Sequence, residues 1–105
     1  MTVEVTLGGY MEKHERAAAF GGSDGQAYSV AIYVEEEPDR SGRFGASLLF
    51  VRWSPGGERP IGHLETEIMA YGKTQEEAER RIKALSLYDV KEALDQAIAR
   101  APGEW

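Results

Sequence analysis

His63, Glu65 and Glu67 form the pattern H-x-E-x-E, which comes nearest to a metal-binding arrangement in this chain. On a β-strand every second side chain points to the same face, so the imidazole and both carboxylates would share one side. Residues four apart on a strand lie about 13 Å apart, so one ion reaches only two neighbouring members of the set. A polar face turned to water explains the same alternation. The pattern therefore predicts a metal site at His63, Glu65 and Glu67, with a solvated strand face as the alternative.

Four arginines form a second candidate group within residues 40–59, where Glu58 is the only acid. Four guanidiniums against one carboxylate leave a local charge of +3, which would suit an anion. Pairing with the acids of residues 35–39 is the alternative. Two aromatic residues end the neighbouring predicted strands, and aromatic and Arg side chains are enriched where proteins contact each other. Core packing is the other role open to Trp53. We therefore predict interaction residues at Arg40, Arg43, Arg52, Trp53, Arg59 and Tyr71.

Positioning of these residues depends on a predicted sheet. In residues 28–34 large apolar side chains alternate with smaller or polar ones, which is the period of a strand with one buried face. Asp24-Gly25 comes before this strand and predicts a hairpin turn, since both residues tolerate positive φ. The partner strand would be residues 15–22. Because residues 11–19 are rich in helix formers, a short helix is the alternative for this segment. Val3, Val5 and Leu7 predict a further short strand that ends at Gly8-Gly9.

Two more strands are expected at residues 44–53 and 61–71. Residues 48–51 are apolar on both faces, so we expect the first of these strands to be central, covered on both sides or packed against another copy. The second alternates along its length. One of its faces is expected to carry Leu64, Thr66, Ile68 and Ala70, and the other His63, Glu65, Glu67, Met69 and Tyr71.

Two helices follow the sheet, and each begins with a capping box. Thr74 and Glu77 form the first box and Ser86 and Asp89 the second, in which a hydroxyl accepts from the backbone amide three residues on. The expected buried stripes are Ala78, Ile82 and Leu85, then Val90, Leu94, Ala97 and Ile98. Residues 1–105 are therefore predicted to form a single α+β domain: an antiparallel three- to five-stranded meander sheet with two C-terminal helices packed on one face.

Composition and charge exclude or disfavour several classes of protein. The chain has 105 residues, no cysteine and a net charge of −6, so disulfide and Cys-based zinc scaffolds are excluded. Negative charge disfavours binding to nucleic acid or to an anionic membrane. No run of about 18 uncharged apolar residues is present, and Glu4 stands where a signal peptide needs a basic start, so we expect a cytoplasmic protein. No catalytic residues and no cofactor are assigned.

Two segments resemble HicB-type antitoxin modules. They are Tyr-Ser-Val-Ala-Ile-Tyr-Val-Glu at residues 28–35 and Gly-Lys-Thr-Gln-Glu-Glu-Ala at residues 72–78, which are similar to the first strand and the helix entry of that family. The resemblance spans residues 28–100 loosely. It implies a βββα sheet, acidic character, self-association and binding to a small cationic toxin with RNase activity.

The leading expectation is a small acidic non-enzymatic interaction or regulatory domain. It would form a homodimer or bind a protein partner through its sheet face or an edge strand. Residues 1–39 hold eight acids and two bases, a balance of −6, whereas the rest of the chain is neutral. Such a dipolar chain suits self-pairing as well as a cationic partner. The alternative is a metal- or ligand-dependent small enzyme that uses His63, Glu65 and Glu67.

Overall fold

Three helices and a five-stranded antiparallel sheet form the part of the chain that the computed structural model describes, residues 5–14 and 17–101. The predicted α+β class is confirmed, with two C-terminal helices on one face of the sheet. The elements are, in chain order, α1 (Leu7–His14), β1 (Ala19–Gly21), β2 (Ala27–Val34), β3 (Phe44–Trp53), β4 (Pro60–Glu65), β5 (Ala70–Gly72), α2 (Gln75–Lys83) and α3 (Leu87–Arg100).

Strand β3 is the centre of the sheet, as its two-sided apolar pattern predicts. The strand order is β1-β2-β3-β4, and β2 lies antiparallel to β3 over the whole length of β2. The other side of β3 is shared, because β4 pairs with Leu49–Trp53 and β5 pairs with Phe44–Ala46. Strands β4 and β5 therefore follow one another along the same edge.

The strand predicted over residues 61–71 is interrupted, which corrects the expected alternation. Thr66 donates its N–H to the carbonyl of Leu48 and accepts the Leu48 N–H on its hydroxyl, both at 3.0 Å. The ladder resumes where the Met69 N–H donates to Ala46, so two residues bulge out in between. Met69 then packs against the core, opposite to the prediction. Ile68 lies over Gly45, where a Cβ on that glycine would come within 2.9 Å of the Ile68 Cδ1.

The N-terminal segment becomes a helix at Leu7, within the expected short strand, and Thr6 just before it forms an isolated antiparallel bridge with Ser86. Leu7 begins α1 and is fully buried, and its N–H donates to the carbonyl of Leu85 at 2.8 Å. Gly8 lies close to α2, since a Cβ there would come within 2.7 Å of the Lys83 Cβ. Close packing on α2 therefore requires Gly8, the first glycine of the pair that was expected to end a strand. Val3, a member of that predicted strand, lies outside the described residues.

The predicted hairpin forms between β1 and β2, but its turn lies one residue earlier than expected. Gly25 donates its N–H to Gly22 at 3.0 Å, so Ser23 and Asp24 are the central residues of the turn. Gly25 follows with φ of 79°, a conformation that glycine adopts without steric cost. Residues 15 and 16, part of the expected partner strand, lie outside the described residues, and the strand itself begins at Ala19.

Both predicted hydroxyl caps form, although the Glu77 carboxylate accepts the N–H of Lys73 at 3.3 Å rather than that of Thr74, and the helix stripes form the core. The Thr74 hydroxyl accepts the N–H of Glu77 at 3.1 Å, and the Ser86 hydroxyl accepts that of Asp89 at 3.0 Å. Apolar residues of α2 and α3 pack on alternate side chains of β2 and β3. The fully buried members of this core include Val30, Leu48, Phe50, Ala78, Ile82, Val90 and Leu94.

A polar clamp joins the β1–β2 hairpin to α3. The Ser23 N–H donates to Asp95 at 3.0 Å, and Lys91 donates to the other oxygen of the same carboxylate. Buried Tyr28 donates its hydroxyl to Asp24 at 2.7 Å, and burial followed by the Asp24 carboxylate raises the pKa of the phenol. The hydrogen bond from Lys91 holds the pKa of Asp95 below its usual value, with a smaller contribution from Ser23.

Gly72→Ala is expected to lower the free energy of unfolding by about 1–3 kcal/mol, because overpacking a filled site forces backbone shifts. A Cβ at Gly72 would lie 2.4 Å from the backbone nitrogen of Ala78. Gly21→Ala is the matched control, since a Cβ there meets nothing within 4 Å. Urea denaturation measures both variants. Equal effects of the two substitutions would contradict the close approach of β5 to α2.

Asp95→Asn is expected to lower the stability of the chain at pH 7, and the difference from wild type should shrink as the pH falls below about 3.8. The pKa of Asp95 is lower in the folded chain than its ordinary value of 3.8. Its stabilising effect is therefore complete above that value and is lost as the folded carboxylate takes up a proton. Urea midpoints at pH 7 and pH 3 test this expectation. A difference of the same size at both pH values would mean that the Asp95 charge is not involved.

Candidate functional site

One face of the sheet packs on α2 and α3, and no helix in residues 5–14 and 17–101 covers the other. Because side chains alternate, the register places Tyr33 opposite Ser47, Leu49 opposite Glu65, and Val51 opposite His63 on this second face. Tyr71 pairs with Gly45 and shares it. We call this second face the open face. Its large apolar and its ionisable members are Tyr33, Glu35, Leu49, Val51, Trp53, Ile61, His63, Glu65, Ile68 and Tyr71.

The open face is apolar where an exposed antiparallel sheet is ordinarily polar. Tyr33 is 53% exposed, Ile61 44% and Tyr71 37%. Leu49 and Val51 are half-buried between them and line a shallow depression of about 430 Å³. Exposed apolar patches of this kind commonly mark a contact with another molecule. The open face is therefore the strongest candidate for a functional surface in the described part of the chain.

Trp53 is held at one end of the open face. Its indole N–H donates to the hydroxyl of Ser29 across the neighbouring strand at 2.9 Å, and its ring is half-buried. Trp53 therefore presents an ordered aromatic surface on the face opposite to the helices. This position fits the predicted contact role of Trp53 better than the core role.

Arg43 and Tyr71 lie together at the other end. The Arg43 guanidinium sits 4.0 Å from the centroid of the Tyr71 ring, a cation–π contact. Asp39 positions the arginine, because its carboxylate accepts hydrogen bonds from the Arg43 backbone N–H at 2.9 Å and from the Arg43 Nη2 at 3.3 Å. These hydrogen bonds and those from Ser41 hold the pKa of Asp39 below its usual value, the backbone N–H of Arg43 contributing most. Arg43 is therefore a charged group fixed beside the open face.

The four predicted arginines are not brought together. Arg52 pairs in register with Tyr28 and Gly62 and so lies on the helix side of the sheet. Arg59 is exposed in the turn after β3, whereas Arg40 and Arg43 come before β3 begins. The ten residues of β3 separate these two ends by about 30 Å. Of the six predicted interaction residues, Trp53, Tyr71 and Arg43 lie on or beside the open face.

The predicted metal set is divided by the end of β4. His63 and Glu65 share the open face and line its depression, and Glu67 belongs to the segment between β4 and β5. Among the described residues, no group of three His, Cys, Asp or Glu side chains could hold a metal ion. Metal binding at His63, Glu65 and Glu67 stays a prediction.

Four strand residues of the open face, Tyr33, Leu49, Val51 and Ile61, were missing from the predicted site. A signal for Leu49 and Val51 exists in the two-sided apolar pattern of residues 48–51, which predicts cover on both faces of β3. Only one of these faces is covered by described helices. The pattern therefore predicts cover on the open face that the described helices do not supply.

Comparison of the chain with family models, curated proteins and solved structures found no match. The resemblance to HicB-type antitoxin modules therefore stays a prediction that depends on residues 28–35 and 72–78. Within the described residues, no helix has both the length and the apolar character needed to span a membrane.

Trp53→Phe and Ser29→Ala are each expected to cost about 1 kcal/mol of stability, because either removes the hydrogen bond between the indole and the hydroxyl. The double variant should lose little more stability than either single variant, since each single substitution already removes the hydrogen bond. Urea denaturation of the four proteins gives this double-mutant cycle. Fully additive losses would show that Ser29 does not fix the Trp53 ring.

Proposed function

We propose that the chain is a small acidic interaction domain that forms a homodimer through its open face and has no catalytic role. The observation that carries the proposal is the exposure of Tyr33, Ile61 and Tyr71 around half-buried Leu49 and Val51. Pairing of two such faces would remove these apolar groups from water, as in a β-sandwich whose sheets lie about 10 Å apart.

The size of the open face supports a specific but dissociable dimer. Three strands spaced about 4.8 Å apart and ten residues rising about 3.3 Å each give a face of roughly 500 Å². Two copies would bury roughly 1,000 Å², close to the lower limit for a specific interface. We therefore expect a dimer that dissociates on dilution.

The edges of the sheet are less suited to contact with a second copy than the open face is. Strands β1 and β5 have three residues each, and β4 has six and begins with a proline. Short strands, prolines and bulges at an edge oppose the addition of a further strand. Of the two predicted modes, the face is therefore favoured over the edge.

Charge also favours the open face as the place where two copies meet. Each chain carries −6, so two copies repel one another in general. On the open face, Glu65 lies near the centre and Glu35 lies over Gly45 among mostly apolar and aromatic neighbours, and Arg43 lies at one end. The approach of two acidic chains costs least through a surface of this composition.

Tyr33→Asp is expected to weaken dimerisation at least about tenfold, because the substitution places a carboxylate at a buried apolar contact. Tyr88→Asp is the matched control, since Tyr88 is 72% exposed on α3, in the helix layer. Sedimentation equilibrium of wild type and both variants measures the dissociation constants. A wild-type chain that is monomeric at every concentration, or equal effects of the two substitutions, would overturn the proposal.

A further inference from the structure

On the β4–β5 side of β3, the open face carries a guanidinium at one level and a carboxylate at another. Arg43 lies over Tyr71, which is level with Gly45, and Glu65 is level with Leu49. Both levels lie on the same side of β3, because β4 and β5 follow one another along that edge. Four residue steps of about 3.3 Å separate the two groups by about 13 Å. They are too far apart to pair with each other within one chain.

Both charged groups retain capacity for a partner. Glu65 makes no hydrogen bond or ion pair with any of the described residues. Arg43 uses its Nε on Ser41 and its Nη2 on Asp39, which leaves its Nη1 donors without an acceptor in the same part of the chain. The Arg43 side chain is 51% exposed. A second molecule can therefore reach the guanidinium without breaking its present contacts.

A symmetric pair of open faces has two simple arrangements, because its two-fold axis lies in the interface and runs either along the strands or across them. An axis across the strands reverses the strand direction and keeps the β4–β5 side of one copy over that of the other. Ser47 is midway between the levels of Gly45 and Leu49. An axis across the strands at Ser47 therefore places Arg43 and Tyr71 of each copy opposite Glu65 of the other.

Charges at the ends of the sheet favour the same arrangement. The segment that joins β2 to β3, residues 35–43, carries four carboxylates and two guanidiniums, and exposed Arg59 lies at the opposite end of β3. An axis along the strands would bring the two acidic segments to the same end of the dimer, where they repel. An axis across the strands instead brings each acidic segment towards Arg59 of the other copy.

From this charge pattern we infer that the two copies pair with their strands reversed about an axis at Ser47, and that Arg43 and Tyr71 of each copy bind Glu65 of the other. The inference rests on the proposed homodimer and specifies its partner and its register. Each contact occurs twice in a two-fold pair. A substitution that removes the contact therefore changes the free energy of dimerisation by twice the energy of one contact.

Charge reversal tests the pairing. Arg43→Glu and Glu65→Arg are each expected to weaken the dimer about tenfold or more, and the double variant should return to within about threefold of wild type. Arg80→Glu and Glu92→Arg are matched controls on exposed positions of α2 and α3. Sedimentation equilibrium of wild type and all five variants at one pH and ionic strength gives the dissociation constants. Circular dichroism and the Tm of each variant show that the fold is retained.

Cross-linking tests the register without a change of charge, and the absence of native cysteine makes it specific. In the reversed pair the two Tyr33 residues face each other at about 10 Å, whereas the two Ile61 residues lie about 40 Å apart along the strands. Tyr33→Cys should therefore be joined by a short bismaleimide, and Ile61→Cys should not. An axis along β3 would bring both pairs within about 14 Å. Tyr88→Cys on α3 measures random collision.

The outcomes separate this inference from the dimer itself. Rescue by the charge swap together with cross-linking at Tyr33 alone supports the reversed pair. A dimer that Tyr33→Asp weakens, but whose charge-swapped form stays as weak as the single variants or whose Ile61→Cys form cross-links, retains the proposed function and overturns the register. A monomeric wild-type chain overturns both.

Discussion

The central strand β3 is apolar on both faces, and the described helices cover only one of them. Leu48 and Phe50 are fully buried under α2 and α3, whereas Leu49 and Val51, one residue along in each case, lie half-buried on the open face. The cost of leaving the second face in water is the constraint from which the proposed dimer follows.

The distribution of charge also supports the proposed contact through the open face. Most acids of the chain lie on the helices and in the residues 35–43 segment, away from the centre of the open face. At one end of that face, Asp39 and Ser41 hold Arg43 over Tyr71, and at the other Ser29 holds Trp53. Both contacts order side chains at the surface before any partner arrives, which lowers the entropy lost on association.

Local features of the sequence predicted local structure well. The capping boxes at Thr74 and Ser86 correctly mark the starts of α2 and α3, because a cap depends only on residues within one turn. The central position of β3 follows from its own side-chain pattern. Features that depend on residues distant in the chain were not predicted. Helix α1 begins at Leu7, whose N–H donates to the carbonyl of Leu85. Strand β4 ends just before Thr66, whose hydroxyl, in place of a backbone carbonyl, accepts the N–H of Leu48.

The candidate site could be predicted in part for the same reason. Trp53, Tyr71 and Arg43 were expected at a contact surface from residue type alone, but the neighbours Arg52 and Trp53 point to opposite sides of the sheet. Closeness in the chain therefore grouped four arginines that the fold separates. Ile68 and Met69 exchange faces because of a bulge, for which the alternating pattern carries no signal.

The most direct measurement of cover on the open face is the accessibility of Trp53 as a function of concentration. Replacement of Trp105 by Phe leaves Trp53 as the single tryptophan of the chain. Acrylamide quenching of its fluorescence should then weaken as the concentration rises through the dimer dissociation constant, because in the reversed pair the residues 35–43 segment of the second copy lies over the indole end of the open face. Quenching that stays constant while the measured mass doubles would show that the copies associate elsewhere and would contradict the account.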